Sequence, residues 1–386
     1  MKYFTFLILA LIFCFTPLTH VHAAFAQYRS ITVNSSQVPT TQTNFPMLVS
    51  GTYSYLATVA NGGKVQNTSG YDVGFYSNSN CSIGKLNWET EKYVATTGEV
   101  DYWINIASIS NGTVIYMCYG DVTISTDQSN KTAVWDANFK AVYHLPDGTT
   151  LTANDSTSAA NTGTIAGATA TAGQMDGAAN FVAASSQYIS NGFANQPQGN
   201  SSLTSSAWVK FAANATTYDI TTFFGLDSAS SKSAYFLYRS PSGKATTEFG
   251  SGYGNATGLT TLVGGTWYYI TATYDGSNNK IYVNGTVEAT TAFSSGNLGG
   301  NALYIGAYYP APGPTLFTNG IIDEARISNI ARSANWILTE YNNQNSPSTF
   351  YTIGSSLPAS STIIHKFILS KNFKFIFKKG YTFLFK

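Results

Sequence analysis

The sequence predicts an all-β protein made of two tandem β-sandwich domains. Three observations predict it. Charged residues make up only 10% of the chain, while glycine numbers 34, tyrosine 26 and phenylalanine 24; a mainly helical protein carries far more Glu, Lys, Leu and Ala. Short alternating apolar runs recur, separated by Asn/Gly/Ser/Thr clusters such as Asn61-Gly62-Gly63 and Ser110-Asn111-Gly112. Tight-turn dipeptides at Asp275-Gly276, Asn284-Gly285 and Asn319-Gly320 stand where hairpins need φ > 0. With 44% hydrophobic residues over 386 positions there is material for a packed core. A net charge of +1 gives no reason to expect a nucleic-acid partner.

The N-terminus reads as an address. Met1-Lys2 precedes an apolar run to Phe15, then Pro17 and the small residues Ala23, Ala24 and Ala26. That is the pattern of a secretory signal over residues 1–26, cut after Ala23 or Ala26. An uncleaved anchor is the alternative, but the run is short for a span of about 20 residues. The mature chain is therefore expected to be secreted or held at the cell surface. Cys14 leaves with the signal. Cys81 and Cys118 remain, an even pair in an oxidising compartment and so a disulfide candidate, with two buried thiols as the alternative. No Cys/His spacing supports a zinc site.

The first domain spans 27–138, with strands expected near 29–33, 86–93, 100–106 and 114–119. The second spans 139–354, with strands near 141–145, 203–211, 233–239, 266–274, 280–283 and 302–306. One helix is expected over 333–341, capped by Ser333, with Trp336, Ile337 and Tyr341 on one face. The tail, 355–386, carries six lysines and no acid, and Phe373, Phe375 and Phe377 alternate within it. Without those lysines and Lys2, 13 basic residues face 19 acidic ones, so the body is acidic. A basic, Phe-rich strand could make weak contact with a membrane or cell-wall surface, or simply blunt an edge.

Thr266-Trp267-Tyr268-Tyr269-Ile270-Thr271-Ala272-Thr273-Tyr274-Asp275-Gly276 followed by Lys280-Ile281-Tyr282-Val283-Asn284-Gly285 resembles the central hairpin of laminin-G-like jelly rolls, of the concanavalin A-like lectin/glucanase superfamily. Val142-Tyr143-His144-Leu145, Ala178-Ala179-Asn180-Phe181 and Gly320-Ile321-Ile322-Asp323-Glu324-Ala325-Arg326-Ile327 extend the resemblance in the expected order. Residues 28–138, with Leu86-Asn87-Trp88-Glu89-Thr90-Glu91 and Tyr102-Trp103-Ile104, resemble the domain of unknown function that often precedes such jelly rolls in secreted prokaryotic proteins. The resemblance implies a fold and a secreted setting, not a substrate.

Jelly rolls of this type often carry calcium on the rim. By resemblance, Asp155 and Asp323 are its expected ligands, and a structural Ca2+ the expected cofactor. The bland reading has Asp155 capping a turn and Asp323 or Glu324 pairing with Arg326. Glycan binding needs aromatic rings beside polar groups. Tyr308 and Tyr309, in a proline-stiffened loop, and Tyr253, in a glycine-rich one, are the candidates. Trp208, Trp267 and Trp336 are expected in the core, where they fall in apolar patterns.

Catalysis finds less support. A retaining glucanase needs two carboxyls about 5 Å apart. Glu89-Thr90-Glu91 places two on one strand face, but in the first domain, where an edge or loop pair is the simpler reading; Asp323 and Glu324 would face opposite ways. After export only His144 and His365 remain, and no serine sits in a nucleophile elbow. The expected function is thus a non-catalytic recognition module for carbohydrate or extracellular matrix. A structural or adhesive surface protein without a small ligand, and a carbohydrate-active enzyme, are the alternatives.

Overall fold

The computed structural model describes residues 25–146, 150–192, 194–225, 232–300, 302–309 and 313–359. The expected signal, apart from Phe25 and Ala26, and the basic tail beyond Ala359 lie outside the described residues. Among the described residues no helix is long and apolar enough to cross a membrane.

The first unit packs a five-stranded sheet on a three-stranded one. The three-stranded sheet orders Gln42–Thr52, Glu99–Ile109 and Trp88–Val94. Its central strand is buried on both faces. Tyr102 points to Phe75 of the facing sheet, with ring centroids 5.1 Å apart, while Trp103 points to the second unit and meets His144 at 5.5 Å. Alternation in a strand sends successive side chains to opposite faces, so one strand serves two interfaces. The expected disulfide is present: Cys81 and Cys118 are joined, with Cα atoms 6.0 Å apart, and are buried beside Phe25 and Tyr76.

The five-stranded sheet departs from the expected domain boundary. Tyr351–Ile353, placed by the sequence in the jelly roll, pairs antiparallel with Gln27–Val33, in the register Ile31↔Ile353. Leu357–Pro358, placed in the tail, pairs with the start of the same strand. The chain thus returns to the first unit after the second is complete, and an otherwise open strand edge is covered. Tyr351 fixes the return: its hydroxyl accepts from the Ser50 amide and donates to the Ser50 carbonyl, each at 3.0 Å.

The second unit is the expected sandwich. Its eight-stranded sheet runs Thr286–Ala292, Asn278–Val283, Tyr268–Tyr274, Leu203–Phe211, Gly320–Ser328, Gly177–Phe181 and Thr169–Ala172, with Phe139–Tyr143 also pairing Gly320–Ser328. The seven-stranded sheet runs Tyr253–Thr261, Lys244–Phe249, Ala234–Arg239, Asp219–Gly225, Leu303–Ile305, Tyr188–Asn191 and Thr164–Ala166. Phe224, Tyr235, Leu237, Phe249 and Ile305 from the latter meet Ala207, Val209, Ile270, Ile281 and Ile322 from the former in one core.

The helix runs Ala334–Asn345, and the Ser333 hydroxyl accepts from the Trp336 amide at 3.1 Å, the expected cap. It joins the units: Trp336 packs on Phe45 at 5.1 Å, and the Asn343 side-chain amide pairs with both backbone groups of Leu48. Trp208 and Trp336 are buried as expected, whereas Trp267 is only half-buried, under the Lys210 ammonium.

Candidate functional site

The core-facing side chains of the seven-stranded sheet leave a second, outer face lined by aromatics. Tyr304, Phe223, Phe236 and Glu248 are successive register partners on four adjacent strands, so they form one row that ends in a carboxylate. A neighbouring row runs Ile220, Tyr238, Thr246 and Thr257. At about 4.8 Å per strand each row spans about 14 Å. Tyr308 lies over the first row, 5.5 Å from Phe223 and 5.2 Å from Phe236. Its segment is pinned by reciprocal backbone bonds between Tyr308 and Thr315.

Beside Tyr308 opens a cleft of about 380 Å³ lined by Tyr218, Ile220, Phe236, Tyr238, Glu248, Gly252, Asn255, Tyr308 and Leu316. Tyr218 and Leu316, each 42% exposed, form its lips. The polar groups converge on one point: Glu248 Oε2 accepts from the Tyr238 hydroxyl at 2.9 Å and from the Asn255 amide at 3.0 Å. Burial, with the Glu248 charge beside it, pushes the Tyr238 phenol up, so it stays a donor. A few convergent polar groups on an apolar, aromatic floor is the usual make-up of a small-molecule site.

Of the residues expected to bind ligand, Tyr308 lines this cleft. Tyr309 lies on the same face, stacked on Tyr304 with ring centroids 4.7 Å apart. Tyr253 is exposed but does not line the cleft: its ring stacks on Phe293 and carries the Lys232 ammonium at 4.9 Å. Residues 310–312 of the proline-stiffened loop lie outside the described residues. Sequence reasoning missed Tyr218, Tyr238, Glu248 and Asn255. The signal was there in Lys244–Phe249, where Thr246 and Glu248 alternate with the core residues Ala245, Thr247 and Phe249.

The calcium expectation does not fit the donor set. The Asp155 carboxylate accepts from the amides of Val142, Thr157 and Asn161 and from the Thr157 hydroxyl, all within 3.0 Å. It caps its own turn, and both its oxygens accept from N–H and O–H groups. Asp323 Oδ2 likewise accepts from the Gln174 and Met175 amides. Burial, then the neighbouring Glu324 charge, pushes the Asp323 carboxyl well above the carboxylate range, and its Oδ1 is buried without a hydrogen-bond partner among the described residues.

Residues 183–338 match the family model of the concanavalin A-like lectin/glucanases superfamily. The laminin G-like resemblance therefore holds over these residues, and they contain the whole cleft. No curated protein sequence matches the chain. Among solved structures the chain is similar to domain 4 of AbnA, a GH43 extracellular arabinanase from Geobacillus stearothermophilus solved with arabinotriose. The identity is 21% over 53% of this chain and 98% of that one, with a TM-score of 0.40. It is similar also to the binding domain of Paraclostridial Mosquitocidal Protein 1, at 12% identity over 53% of this chain and 52% of that one, TM-score 0.43. The Ruminococcus gnavus IT-sialidase CBM40 is similar at 12% identity over 36% of this chain and 83% of that one, TM-score 0.33.

A second constellation joins the laminin G-like unit to the first unit, and it too was missed. Glu89 and Glu91 do lie on an edge strand, Trp88–Val94, as the sequence suggested, but that edge is buried against the second unit. Both reach His144, which follows strand Phe139–Tyr143, and the register of their own strand shifts between Thr90 and Lys92. His144 Nδ1 lies 2.7 Å from Glu324 Oε1, and Nε2 lies 3.3 Å from Glu89 Oε2. Arg326 binds Glu324 and, at 2.6 Å, Glu340 of the helix. Trp103 and Trp135 cover both cations: Arg326 sits 4.4 Å from the Trp103 ring and His144 stacks on that ring. Glu324 has φ of +53° at the register shift in its strand; the extra residue turns its carboxylate to the same side of the sheet as Asp323, not the opposite side expected of adjacent strand residues, and sets it against His144.

Each charge state follows from its neighbours. Burial pushes His144 down, but Glu324, Glu91 and Glu89 together hold it well above the usual imidazole range. Burial pushes Glu89 and Glu324 up, yet His144 overcomes it, helped by Trp135 and Ser156 donors at Glu89 and by Arg326 at Glu324, so both lie below the usual range. Glu91 is the exception: burial outweighs His144, and its carboxyl is pushed up to about 8. Glu91, His144 and Glu324 place ligand-type atoms within 4.8 Å of one another. With Arg326 and protonated His144 already supplying the cations, the arrangement works as a buried ionic lock between the units.

Proposed function

We propose that this chain is an exported, non-catalytic recognition module that binds carbohydrate through the outer face of its seven-stranded sheet. The observation that carries the reading is the cleft floored by Phe236 and Tyr238, walled by Tyr218 and Tyr308, with Glu248 and Asn255 converging in it. Aromatic faces take the apolar faces of sugar rings, while a carboxylate and an amide take their hydroxyls. One carboxylate, Glu248, lines the cleft. Glycoside hydrolysis by the usual route needs two flanking the scissile bond, about 5 Å apart for retention and wider for inversion. The site is equipped to hold a sugar, not to cleave it.

Export is supported by the disulfide, which oxidising compartments maintain. A signal cut after Ala23 keeps Phe25, which is buried against Tyr76 at 5.6 Å beside the disulfide; a cut after Ala26 would discard it. The first unit then acts as a platform fused to the jelly roll by the ionic lock and the returning strand. The test is a glycan array probed with the mature chain and with Tyr308→Ala. Carbohydrate binding by the parent that the variant loses is the expected result. Equal binding by both would remove the cleft from the reading, and an array without a single binder would remove carbohydrate from it.

A further inference from the structure

The segment that carries Tyr308 borders more than the cleft. Tyr308 and Thr315 exchange backbone bonds, and the Thr318 hydroxyl ties the base of the segment to the sheet through the Ile220 carbonyl. Tyr308 and Leu316 line the cleft. The residue after each of them joins a different group. Tyr309 lies face to face on Tyr304, with ring centroids 4.7 Å apart and planes 10° apart, and Phe317 stacks on Tyr188 at 6.3 Å. Tyr188 in turn meets Tyr304 at 5.7 Å. Four aromatic rings are thus gathered beside the cleft, from the strands Leu303–Ile305 and Tyr188–Asn191 and from the paired segment. All four are half-buried, whereas Phe223 and Phe236, against which Tyr308 packs, are buried. Ser190, the register partner of Tyr304, adds a half-buried hydroxyl on the same face. Burial, with Tyr309 and Tyr188 beside it, pushes the Tyr304 phenol up to about 12, so it stays a hydrogen-bond donor.

We propose that Tyr188, Tyr304, Tyr309 and Phe317 form a second sugar-stacking station, so that the chain binds extended oligosaccharides lying across both stations more tightly than short ones held in the cleft alone. This inference rests on the carbohydrate reading above. Phe236 of the cleft and Tyr304 of the second group are register partners of Phe223 on its two sides. They are therefore two strand spacings apart, about 10 Å, which is wider than one sugar ring. The second group repeats the make-up of the cleft, aromatic faces beside hydroxyls, so the same class of ligand fits both. A sugar chain anchored in the cleft meets the second station at high effective concentration, and affinity rises without a second association cost.

The experiment is calorimetric titration of the mature chain with gluco-, galacto- and manno-oligosaccharide ladders, from disaccharide to hexasaccharide. In the ladder that binds, the hexasaccharide is expected to bind at least about tenfold more tightly than the disaccharide. Tyr188→Ala alters the group from the sheet and Tyr309→Ala alters it from the paired segment. Each should bring the ratio of hexasaccharide to disaccharide affinity close to one, while Tyr308→Ala should abolish binding of the disaccharide. A parent that binds disaccharide and hexasaccharide equally, with Tyr308→Ala abolishing both, would overturn the second station and leave the carbohydrate reading standing. A gain with length that survives both Tyr188→Ala and Tyr309→Ala would also overturn it, by placing the extra contacts elsewhere. Binding of no ladder by the parent would overturn both readings.

Discussion

Replacing Glu91 by glutamine should stabilise the protein at neutral pH, although it removes an ionisable group from the centre of the interdomain lock. Glu91 has 2% of its side chain exposed, and its Oε2 accepts from the Trp103 indole at 2.6 Å. The unfolded chain ionises this group near its ordinary value of 4.5, whereas the folded protein holds the proton up to about 8. Folding therefore takes up a proton between those two values, and the group's contribution worsens as pH rises through that window. Each unit is worth about 1.4 kcal/mol, so by pH 7 the penalty is on the order of 3 kcal/mol, and it levels off above about 8. Glutamine has the shape of the neutral acid, can accept from Trp103, and carries no proton to exchange. Glu89 and Glu324, held low, contribute stability present above the ordinary carboxylate value and lost on acidification. His144, held high, contributes stability present below the ordinary imidazole value and lost only as pH rises through its elevated folded value. Glu89 and Glu324 keep their partners in the variant, and His144 keeps two of its three anionic neighbours, Glu324 and Glu89, so these contributions change less than that of Glu91 itself. Urea unfolding of the two proteins at several pH values checks it: equal stability near pH 4.5, and a difference favouring Glu91→Gln that grows toward pH 8. A variant less stable than the parent at pH 7 would refute the reasoning, because it would mean Glu91 is ionised and pairing with His144.

Two further outcomes follow from other parts of the fold. Replacing Cys81 and Cys118 together by alanine should cost about 4 kcal/mol in urea unfolding, as the chain-entropy model gives for their sequence separation of 37; a loss below about 1 kcal/mol would mean the closed loop is already ordered in the unfolded chain. Expressed with its full N-terminus in an exporting host, the chain recovered from the medium should begin at Ala24 by N-terminal sequencing, since Phe25 fills a buried place beside the disulfide; a start at Gln27 would show that place to be dispensable, and retention of Met1 inside the cell would refute export.

What the sequence made legible was local. Alternation, the Asn284-Gly285 turn and the Ser333 cap are encoded within a few residues, and the sandwich strands and the helix stand where those signals put them, whereas Asn319-Gly320, read as a tight turn, opens the strand Gly320–Ser328. The Cys81–Cys118 bond was legible because few partners were on offer. The bland reading of Asp155, a residue binding its own turn, also held, since an Asp two residues before a Thr amide needs no distant partner. What escaped was long-range. Glu89 and His144 are 55 residues apart and His144 and Glu324 are 180 apart, so no window of the sequence shows them as one cluster. Tyr351–Ile353 escaped for the same reason: its partner strand lies at the other end of the chain. Tyr308 was found as a loop aromatic. Glu248 was passed over because the outer face of its strand becomes a cleft only when Tyr308 and Tyr218 stand beside it.

The central claim is that a sugar sits on the outer face of the seven-stranded sheet. A crystal structure of the mature chain soaked with the oligosaccharide it binds best tests it most directly. The account predicts a pyranose or furanose ring against Tyr308, with hydroxyls on Glu248 and Asn255. Sugar bound at any other surface, with this cleft holding only water, would contradict it.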